Sequence, residues 1–466
     1  MHAVLYPPEE VAVGSGDDVI YIDVDAHLAV ILAELERRTP TKITLPSALL
    51  WRLCAEPAAF MTDLSSIREV VHLGPPPSER ELSCATEVFG SILVHVPEPG
   101  AVGDGARVVA AARAAADTVV AGIADHQVAE YVSAIRVAEL GSMLFALQRH
   151  GVLDDPARVD SCERVLVAAD VAAEHHAVIR RWLRGLTENG VLVADGDDYR
   201  GTRPVRGEDL RDAWRRVHHA WTGVLGPSAF VDYLEVNALR LDDLMSGRDH
   251  AVELLFPHGR TDIADAVYRD TVTARYLNSA IAAAVAELAA QRPLRILEVG
   301  AGTGATTEAV AAALGPDPRV DYLFTDVSRF FLATAKGRLA EYPWIDYGLL
   351  DIDAIETTRS YDVIIAAGVL NNARNTDETV AALIAALAPG GWLLITEPVL
   401  ENLEILGSQA FMMTRPTDAR AASQSTFLSE PQWLEVLSGL AEVAVLPDAG
   451  HPLAPLGQRL FLGRRS

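Results

Sequence analysis

Cysteine is scarce in this chain of 466 residues, which has three copies, Cys54, Cys84 and Cys162. They lie far apart and have no metal-ligand spacing, which argues against a disulfide framework and against a cysteine-based zinc site. We therefore expect reduced, structural thiols and no metal centre.

Long apolar runs are also missing. No stretch of 18 consecutive apolar residues occurs, and residues 1 to 17 contain no cationic segment followed by an apolar core. The first absence argues against a membrane-spanning helix, and the second argues against a secretory signal peptide. These features predict a soluble cytoplasmic protein without a membrane partner.

Positively charged residues are also few. Lysine and arginine total 39 against 64 acidic residues, so the formal net charge is −25. A general nucleic-acid binder needs clustered cations to neutralise phosphates, so this class is not expected. The 50% hydrophobic content instead indicates a globular chain with room for two or three domains.

The most informative stretch that is present is Leu297-Glu298-Val299-Gly300-Ala301-Gly302-Thr303-Gly304. An apolar run, 294–299, enters it as a buried strand would, and a helical stretch, 305–314, follows. Glycines at alternate positions (Gly300, Gly302 and Gly304) allow the backbone to approach a nucleotide-like ligand closely. The loop alone also fits a loose dinucleotide-binding pattern.

Acidic residues at the ends of successive predicted strands favour S-adenosylmethionine (SAM) over a dinucleotide. Glu298 can orient the loop and, directly or through water, the cationic amino-acid end of SAM, whereas it would repel a pyrophosphate. Asp326 follows the next strand and can accept hydrogen bonds from both ribose hydroxyls. Asp351 can accept from the adenine amino group, with the Ile352 amide beside it.

Other residues complete the candidate cofactor set. Val327 directly follows Asp326 in the motif Phe324-Thr325-Asp326-Val327-Ser328. Tyr268 and Asn278 are predicted to lie on the helix before the first strand, from which they can reach over the cofactor. A packed helix face explains the tyrosine equally well.

Strands and helices alternate from residue 294 onward. The predicted strands are 294–299, 319–325, 361–366 and 392–396, with a final pair near 442–446 and 459–463. This order predicts an α/β fold with a doubly wound parallel sheet, whose ligand binds at the carboxyl ends of the strands.

Two further regions precede this one. Residues 1–100 are typical of a small α/β unit, with strands predicted at 19–24, 41–45 and 67–73 and a linker from Pro97 to Gly105. Residues 106–250 are predominantly helical. Within them an amphipathic helix, a strand, a turn and a returning strand over 174–200 form a winged-helix-like pattern. In a chain this acidic, the pattern favours a cap over a substrate pocket rather than a DNA-binding module.

The helical region contains a local concentration of arginines: Arg180, Arg181, Arg184, Arg211, Arg215 and Arg216. Solvated helix faces would explain them. The alternative is a landing site for an acidic carrier protein or for its phosphopantetheine phosphate.

Residues 251–466 resemble the methyltransferase domains embedded in polyketide and nonribosomal peptide synthases. Among these, they are most similar to domains of thiazoline-forming siderophore synthetases. The resemblance is carried by the glycine loop and by the segments Tyr361-Asp362-Val363-Ile364-Ile365-Ala366, Val369-Leu370-Asn371-Asn372-Ala373-Arg374 and Leu387-Ala388-Pro389-Gly390-Gly391-Trp392. It implies a class I, Rossmann-like SAM methyltransferase of natural-product biosynthesis. The implied acceptor is a carbon on an intermediate tethered to an acyl or peptidyl carrier protein.

The first hundred residues resemble part of the adenylation domain of nonribosomal peptide synthetases. The matching segments are Pro40-Thr41-Lys42-Ile43-Thr44-Leu45-Pro46-Ser47 and Asp63-Leu64-Ser65-Ser66-Ile67-Arg68. Val94-His95-Val96-Pro97-Glu98 stands where that family has a Tyr-Gly-x-Thr-Glu motif for the adenylate. The resemblance therefore implies a degenerate, non-catalytic segment that serves as a scaffold or docking surface, the alternative being an unrelated α/β appendage.

Carbon-methylating members of the methyltransferase family pair a histidine after the fourth strand with a glutamate at the end of the fifth. Glu397 matches the glutamate, but Asn371 occupies the histidine position. Asparagine cannot act as a general base, although it can hold a carbonyl, an enol or water. Arg374 follows the motif and can clamp a carboxylate or a tethered carbonyl, or form a surface ion pair.

This departure leaves several outcomes open. An already acidic carbon acceptor would need only Glu397 as base, directly or through water. A nitrogen or oxygen acceptor, free or tethered, would need little or no strong base. The domain would otherwise bind SAM without transferring a methyl group.

Overall fold

The computed structural model describes residues 2–5, 19–22, 28–54, 56–73, 79–90, 92–96, 104–316, 319–355 and 359–466. The chain divides into two compact units, 1–105 and 106–466. Most of the predicted linker, Pro97 to Gly105, lies outside the described residues, as do the last two residues of the strand predicted at 19–24.

The first unit is built on a parallel five-stranded sheet with the order β2-β1-β3-β4-β5. Leucine and isoleucine at helical spacing in α1 form part of its core, where Ile31 and Leu35 are fully buried. This agrees with the small α/β unit predicted from the sequence. The elements are β1 His2–Leu5, β2 Val19–Ile22, α1 Leu28–Arg38, β3 Lys42–Pro46, α2 Ser47–Cys54, β4 Glu69–Leu73, α3 Glu79–Phe89 and β5 Ile92–Val96.

The second unit begins with helices and a small antiparallel sheet. Helix α7 is amphipathic, and its apolar side, including Trp182 and Leu186, is fully buried. The hairpin that follows turns at Gly196, whose φ of +59° suits glycine. The elements are α4 Asp104–Val119, α5 Asp125–Gln148, β6 Val159–Ser161, α6 Cys162–Ala168, α7 His176–Glu188, β7 Val193–Asp195, β8 Asp198–Arg200, α8 Gly207–Trp221, α9 Ser228–Leu239, α10 Leu241–Met245 and α11 Ala251–Leu255.

This helix and hairpin follow the winged-helix-like order expected from the sequence, and the small sheet has the order β6-β8-β7. Throughout the described part of the chain, no helix combines the length and apolar character required to cross a membrane.

The remainder of the second unit is a seven-stranded sheet with the order β11-β10-β9-β12-β13-β15-β14. The strands β9 to β13 are parallel, whereas β15 runs antiparallel to both of its neighbours. The elements are α12 Asp262–Asp265, α13 Val272–Gln291, β9 Leu294–Val299, α14 Ala305–Leu314, β10 Val320–Asp326, α15 Arg329–Arg338, β11 Ile345–Leu349, β12 Tyr361–Ala367, α16 Thr376–Ala386, β13 Leu387–Pro398, α17 Leu403–Leu406, α18 Ala419–Ser423, α19 Glu430–Val436, β14 Glu442–Leu446 and β15 Gln458–Arg464.

The doubly wound sheet predicted from the sequence is confirmed, with one additional strand. Asp351 was expected at a strand end, but no bounds were predicted for this strand, β11, because its residues Asp346 and Gly348 interrupt the apolar pattern. As the edge strand beyond β10 it is only partly buried, so its sequence lacks the continuous apolar run of a central strand. The carboxyl ends of β9 to β13 share one edge of the sheet, and this edge holds the candidate site.

Candidate active site

The glycine loop between β9 and α14 has an unusual backbone. Gly300, Gly302 and Gly304 have φ values of +60°, +56° and +79°, which favour glycine. A Cβ atom on Gly300 would overlap the side chain of Val369, which follows β12. Apart from the chain neighbours of Gly302, the one described atom within 4 Å of such a Cβ there would be the Gly300 carbonyl oxygen, at 3.9 Å. Packing therefore requires Gly300, whereas Gly302 leaves space for a ligand.

Glu298 lies beneath this loop and is 1% exposed. Its Oε2 accepts hydrogen bonds from the Thr307 and Tyr322 hydroxyls, each at 2.5 Å. Burial raises the pKa of the carboxyl group to about 7, although both hydroxyls oppose that shift. These bonds connect the first turn of α14 with β10. The buried carboxyl group thereby fixes the position of the glycine loop that precedes α14.

Asp326 connects the end of β10 to the glycine loop. One carboxylate oxygen accepts from the Gly302 amide at 3.0 Å, and the other accepts from the Ser328 amide at 2.8 Å. Burial raises the pKa of this group. A carboxylate has about four acceptor positions, so two remain for hydroxyl donors. The adjacent Val327 side chain is 64% exposed and presents an apolar surface beside it.

The turn after β11 contains Asp351 and Ile352. The exposed Asp351 accepts from the Asp353 amide at 2.9 Å, which shapes the turn. The Ile352 carbonyl accepts from the Thr379 hydroxyl at 3.2 Å, and its side chain packs partly against the apolar core. Local bonds thus hold both residues at the same sheet edge as Asp326.

Tyr268 and Asn278 meet at the start of α14. The Asn278 side chain accepts from the Thr306 hydroxyl at 2.8 Å and donates to the Tyr268 carbonyl at 3.1 Å. The prediction that both lie on one helix was wrong, because Tyr268 lies on a π-helical turn, 266–270. The Thr271 hydroxyl accepts from the Ala274 amide and begins α13 as a new helix.

Glu397 is fully buried near the end of β13. Its Oε1 accepts from the Leu370 amide at 2.6 Å, whereas its Oε2 has no hydrogen-bond partner among the described residues. Burial raises the pKa of the carboxyl group to about 8, against the lowering effect of backbone amides and of Arg420. The side-chain oxygen of Asn371 is likewise buried, with no partner in the described part of the chain. Such acceptors are costly unless a ligand or water supplies donors.

An ion pair that sequence reasoning missed supports this side of the site. Arg420 is 1% exposed, and its guanidinium donates to the carbonyls of Asn371 at 2.6 Å and Ala373 at 2.7 Å. It also pairs with Asp418 at 2.6 Å, and Asp418 accepts from the Thr376 amide at 2.9 Å. Burial would raise the pKa of Asp418, but hydrogen bonds from Arg420 and backbone amides lower it to about 2. The pair fixes the loop 370–376.

The sequence offers little signal for this pair. Arg420 lies 49 residues after Asn371, in a polar stretch without strand or helix periodicity. Two opposite charges spaced by one alanine are the sole local indication. The hydrogen bonds of Thr307 and Tyr322 to Glu298 were not predicted either. A hydroxyl group within an apolar strand or helix face does, however, indicate a buried polar partner.

Arg374 forms the surface ion pair that was one of its predicted alternatives. Its side chain is 72% exposed and lies 3.5 Å from the Asp353 carboxylate. Its backbone amide donates to the same carboxylate at 2.9 Å. These contacts connect the loop after β12 with the turn after β11.

The arginines of α7 contact the segment after α18. Arg181 donates to the Thr426 hydroxyl at 2.6 Å, and Arg184 donates to the carbonyls of Ser423 and Gln424. On α8, Arg215 pairs with Asp212. Of the six arginines considered as a landing site, at least three therefore form hydrogen bonds or ion pairs within the chain.

Comparison with known proteins gives a consistent result. Residues 297–393 match the family model described as a methyltransferase domain. Pyochelin synthetase PchF of Pseudomonas aeruginosa is 35% identical over 358 residues, covering 73% of this chain and 20% of the relative. Polyketide synthase ThaG of Burkholderia thailandensis is 34% identical over 250 residues, covering 51% of this chain and 4% of the relative. The chain thus spans a fifth or less of the length of these relatives.

Solved structures show the same fold. The CurJ carbon methyltransferase has a TM-score of 0.70 and 23% identity, covering 77% of this chain and 98% of that one. The DszA carbon methyltransferase has a TM-score of 0.67 and 22% identity, with coverages of 77% and 96%. The class I methyltransferase fold expected from the sequence is confirmed, and residues 297–393 form a methyltransferase domain.

Proposed function

We propose that this chain is a SAM-dependent methyltransferase of natural-product biosynthesis that methylates a carbon of a carrier-tethered intermediate. The observation that carries the proposal is Glu397, a buried carboxyl group with one oxygen held by a backbone amide and the other without a hydrogen-bond partner among the described residues. The similarity to assembly-line synthetases and to carbon methyltransferase folds supports the same conclusion.

The residues around the glycine loop fit SAM. Gly302 leaves space beside the backbone, and Asp326 retains two acceptor positions. Asp351 has an exposed carboxylate at the same edge of the sheet, and we expect it to accept from the adenine amino group. When bound, SAM supplies an activated methyl group. The protein then has to position the acceptor and, for carbon, to remove a proton.

Glu397 is suited to the proton transfer. Its Oε2 is the atom available to take the proton from the acceptor carbon, while the Leu370 amide keeps the carboxyl group in place. A carboxylate with a pKa near 8 is a stronger base than an exposed glutamate. The Asn371 side chain holds the carbonyl or enol of the acceptor by hydrogen bonds and does not exchange a proton.

Asn371 is also the reason to keep a second candidate function. With asparagine in place of histidine, the site has one carboxyl group for proton removal, which also suits a nitrogen or oxygen acceptor on a free small molecule. A catalytically silent SAM-binding partner in an assembly line is the third possibility. For residues 1–100, we propose a non-catalytic docking role.

Methyl transfer from labelled SAM separates these functions. The acceptors are a β-ketoacyl thioester on a phosphopantetheinylated carrier protein, the same acyl group as a free thioester, and free amine and phenol acceptors. We expect label in a new carbon–carbon bond on the loaded carrier. Label on nitrogen or oxygen of a free acceptor would overturn the proposal. SAM binding without transfer to any of these acceptors would favour the silent partner.

A further inference from the structure

An arginine at the end of α15 reaches two segments that flank the candidate cofactor site. The two terminal nitrogens of Arg338 donate to the two carboxylate oxygens of Asp265, at 2.8 and 2.6 Å. Its Nη1 also donates to the Thr303 carbonyl of the glycine loop, at 3.2 Å. The Arg338 side chain is 24% exposed, so water screens these bonds less than those of a surface pair. Arg338 therefore connects the glycine loop with α12.

Asp265 occupies a significant place in the chain. It is the last residue of α12, directly before the π-helical turn 266–270 that carries Tyr268. Such turns are rare and are often found at functional sites. Thr271, in an extended conformation, separates this turn from α13. A helix of four residues and a single turn have little stability of their own, so side-chain contacts decide where Tyr268 lies.

Other contacts bind the same turn to neighbouring helices. Arg269, on the turn, pairs with Glu308 of α14 at 2.8 Å and lies 3.6 Å from Asp265. Asn278 of α13 donates to the Tyr268 carbonyl at 3.1 Å. Within the described residues, the forked hydrogen bonds from α15 add a link from the start of this turn to the glycine loop itself.

The glycine loop has much to gain from such a link. Gly300, Gly302 and Gly304 give it wide conformational freedom, which a ligand would have to restrict on binding. The Thr303 carbonyl lies between the last two of these glycines, so a donor held on it limits the motion of the loop before any ligand arrives. Arginine suits this task because its planar fork binds a carboxylate through two nitrogens and still reaches a third acceptor.

We propose that Arg338 and Asp265 form a positioning pair, which fixes the glycine loop and the turn of Tyr268 in the arrangement that binds SAM. The pair acts through Thr303 and Tyr268. It raises the affinity for SAM because the loop and the turn lose less conformational freedom when the cofactor binds. This inference rests on the proposed function and deepens its cofactor site.

Calorimetry with SAM on the full chain tests the inference. Arg338→Ala should weaken SAM binding by about tenfold or more, because it removes the charge-assisted bonds that join the two segments. Arg338→Lys should weaken it by only about threefold, since an ammonium group still pairs with Asp265 but lacks the fork. Arg260→Ala is the matched control. It breaks a similar fork to Asp262, which is exposed and lies on the same segment, and should leave SAM affinity unchanged.

Hydrogen exchange without SAM distinguishes positioning from a general loss of stability. Arg338→Ala should speed amide exchange at 266–271 and 301–306, while the buried strand β9 keeps its rate. Arg260→Ala should leave the exchange of all three segments unchanged. Unchanged SAM affinity in Arg338→Ala, or exchange that accelerates equally in β9, would overturn the inference.

Methyl transfer by the unmodified chain separates this inference from the proposed function. If Arg338→Ala loses SAM affinity as expected but no acceptor receives a methyl group, the proposed function fails and the positioning pair stands. If the loaded carrier is methylated and Arg338→Ala binds SAM normally, the reverse holds. An unmodified chain that binds no SAM would overturn both.

Discussion

The two halves of the candidate site are built differently. On the cofactor half, Glu298 and Asp326 accept hydrogen bonds from side chains or amides close to the glycine loop. On the acceptor half, Glu397 and Asn371 each keep a buried oxygen without a partner among the described residues. On the cofactor half, Glu298 Oε2 and both carboxylate oxygens of Asp326 have hydrogen-bond donors, whereas one oxygen of each residue on the acceptor half has none among the described residues.

This difference indicates where the protein is preorganised. A network of satisfied hydrogen bonds holds the cofactor loop in one shape before any ligand arrives. Arg420, from a segment far along the chain, binds the backbone carbonyls of the loop 370–376. The side-chain oxygen of Asn371 in this loop has no hydrogen-bond partner among the described residues. The acceptor half can therefore be altered without loss of cofactor binding, and the following predictions test that separation.

The largest expected effect is that of Glu397→Gln. The amide preserves the shape and an acceptor for the Leu370 amide but cannot take a proton, so methyl transfer to carbon should fall by roughly 10² to 10⁴-fold. SAM affinity measured by calorimetry should be unchanged. Glu435→Gln, an exposed glutamate on α19, is the matched control. An unchanged rate in Glu397→Gln would show that this residue is not the base.

Asp326→Ala is expected to act on the other half. It removes the acceptor of two loop amides and the proposed partner of the ribose, so SAM affinity should fall by about 100-fold or more, given about 1.5–3 kcal/mol for each charged hydrogen bond. Asp321→Ala, an exposed acid on the same strand, should bind SAM as the unmodified chain does. Normal SAM affinity in Asp326→Ala would contradict the cofactor assignment.

Arg420→Lys tests the support of the acceptor half. Lysine keeps the charge beside Asp418 but loses the fork that reaches two carbonyls, so the free energy of unfolding should fall by about 1–3 kcal/mol. The rate of transfer at saturating substrate should fall by about tenfold, because the loop 370–376 loosens. The affinity of Arg420→Lys for SAM should be unchanged. Arg415→Lys, on an exposed arginine nearby, should change neither quantity, and a loss of SAM affinity in Arg420→Lys would refute the separation of the halves.

The smallest expected effect is the pH dependence of the unmodified chain. The pKa of Glu397 is about 8, so its ionised, basic fraction rises from about one tenth at pH 7 to about one half at pH 8. Methyl transfer to carbon should therefore rise about fivefold over this interval. The residual activity of Glu397→Gln should lack this rise, and a flat profile in the unmodified chain would argue against an ionised Glu397 as base.

Prediction from the sequence succeeded where the signal is local. The glycine loop, its flanking strand and helix and Asp326 lie within about thirty residues, and their periodicity is strong because the strands are buried on both faces. The bounds of the edge strand β11 were not predicted, because one of its sides meets solvent and its apolar pattern is mixed. Tyr268 was assigned to the wrong element because a single capping hydroxyl, that of Thr271, divides the helical stretch.

By itself, the sequence determined the glycine loop, the central strands of the main sheet and the acids at their carboxyl ends, because each depends on neighbours in the chain. Only the tertiary structure decided that Glu397 is fully buried, with one oxygen lacking a partner among the described residues, and that Arg420 holds the loop of Asn371. Burial and charge pairing depend on residues brought together from distant parts of the chain, and composition and periodicity carry no record of those contacts.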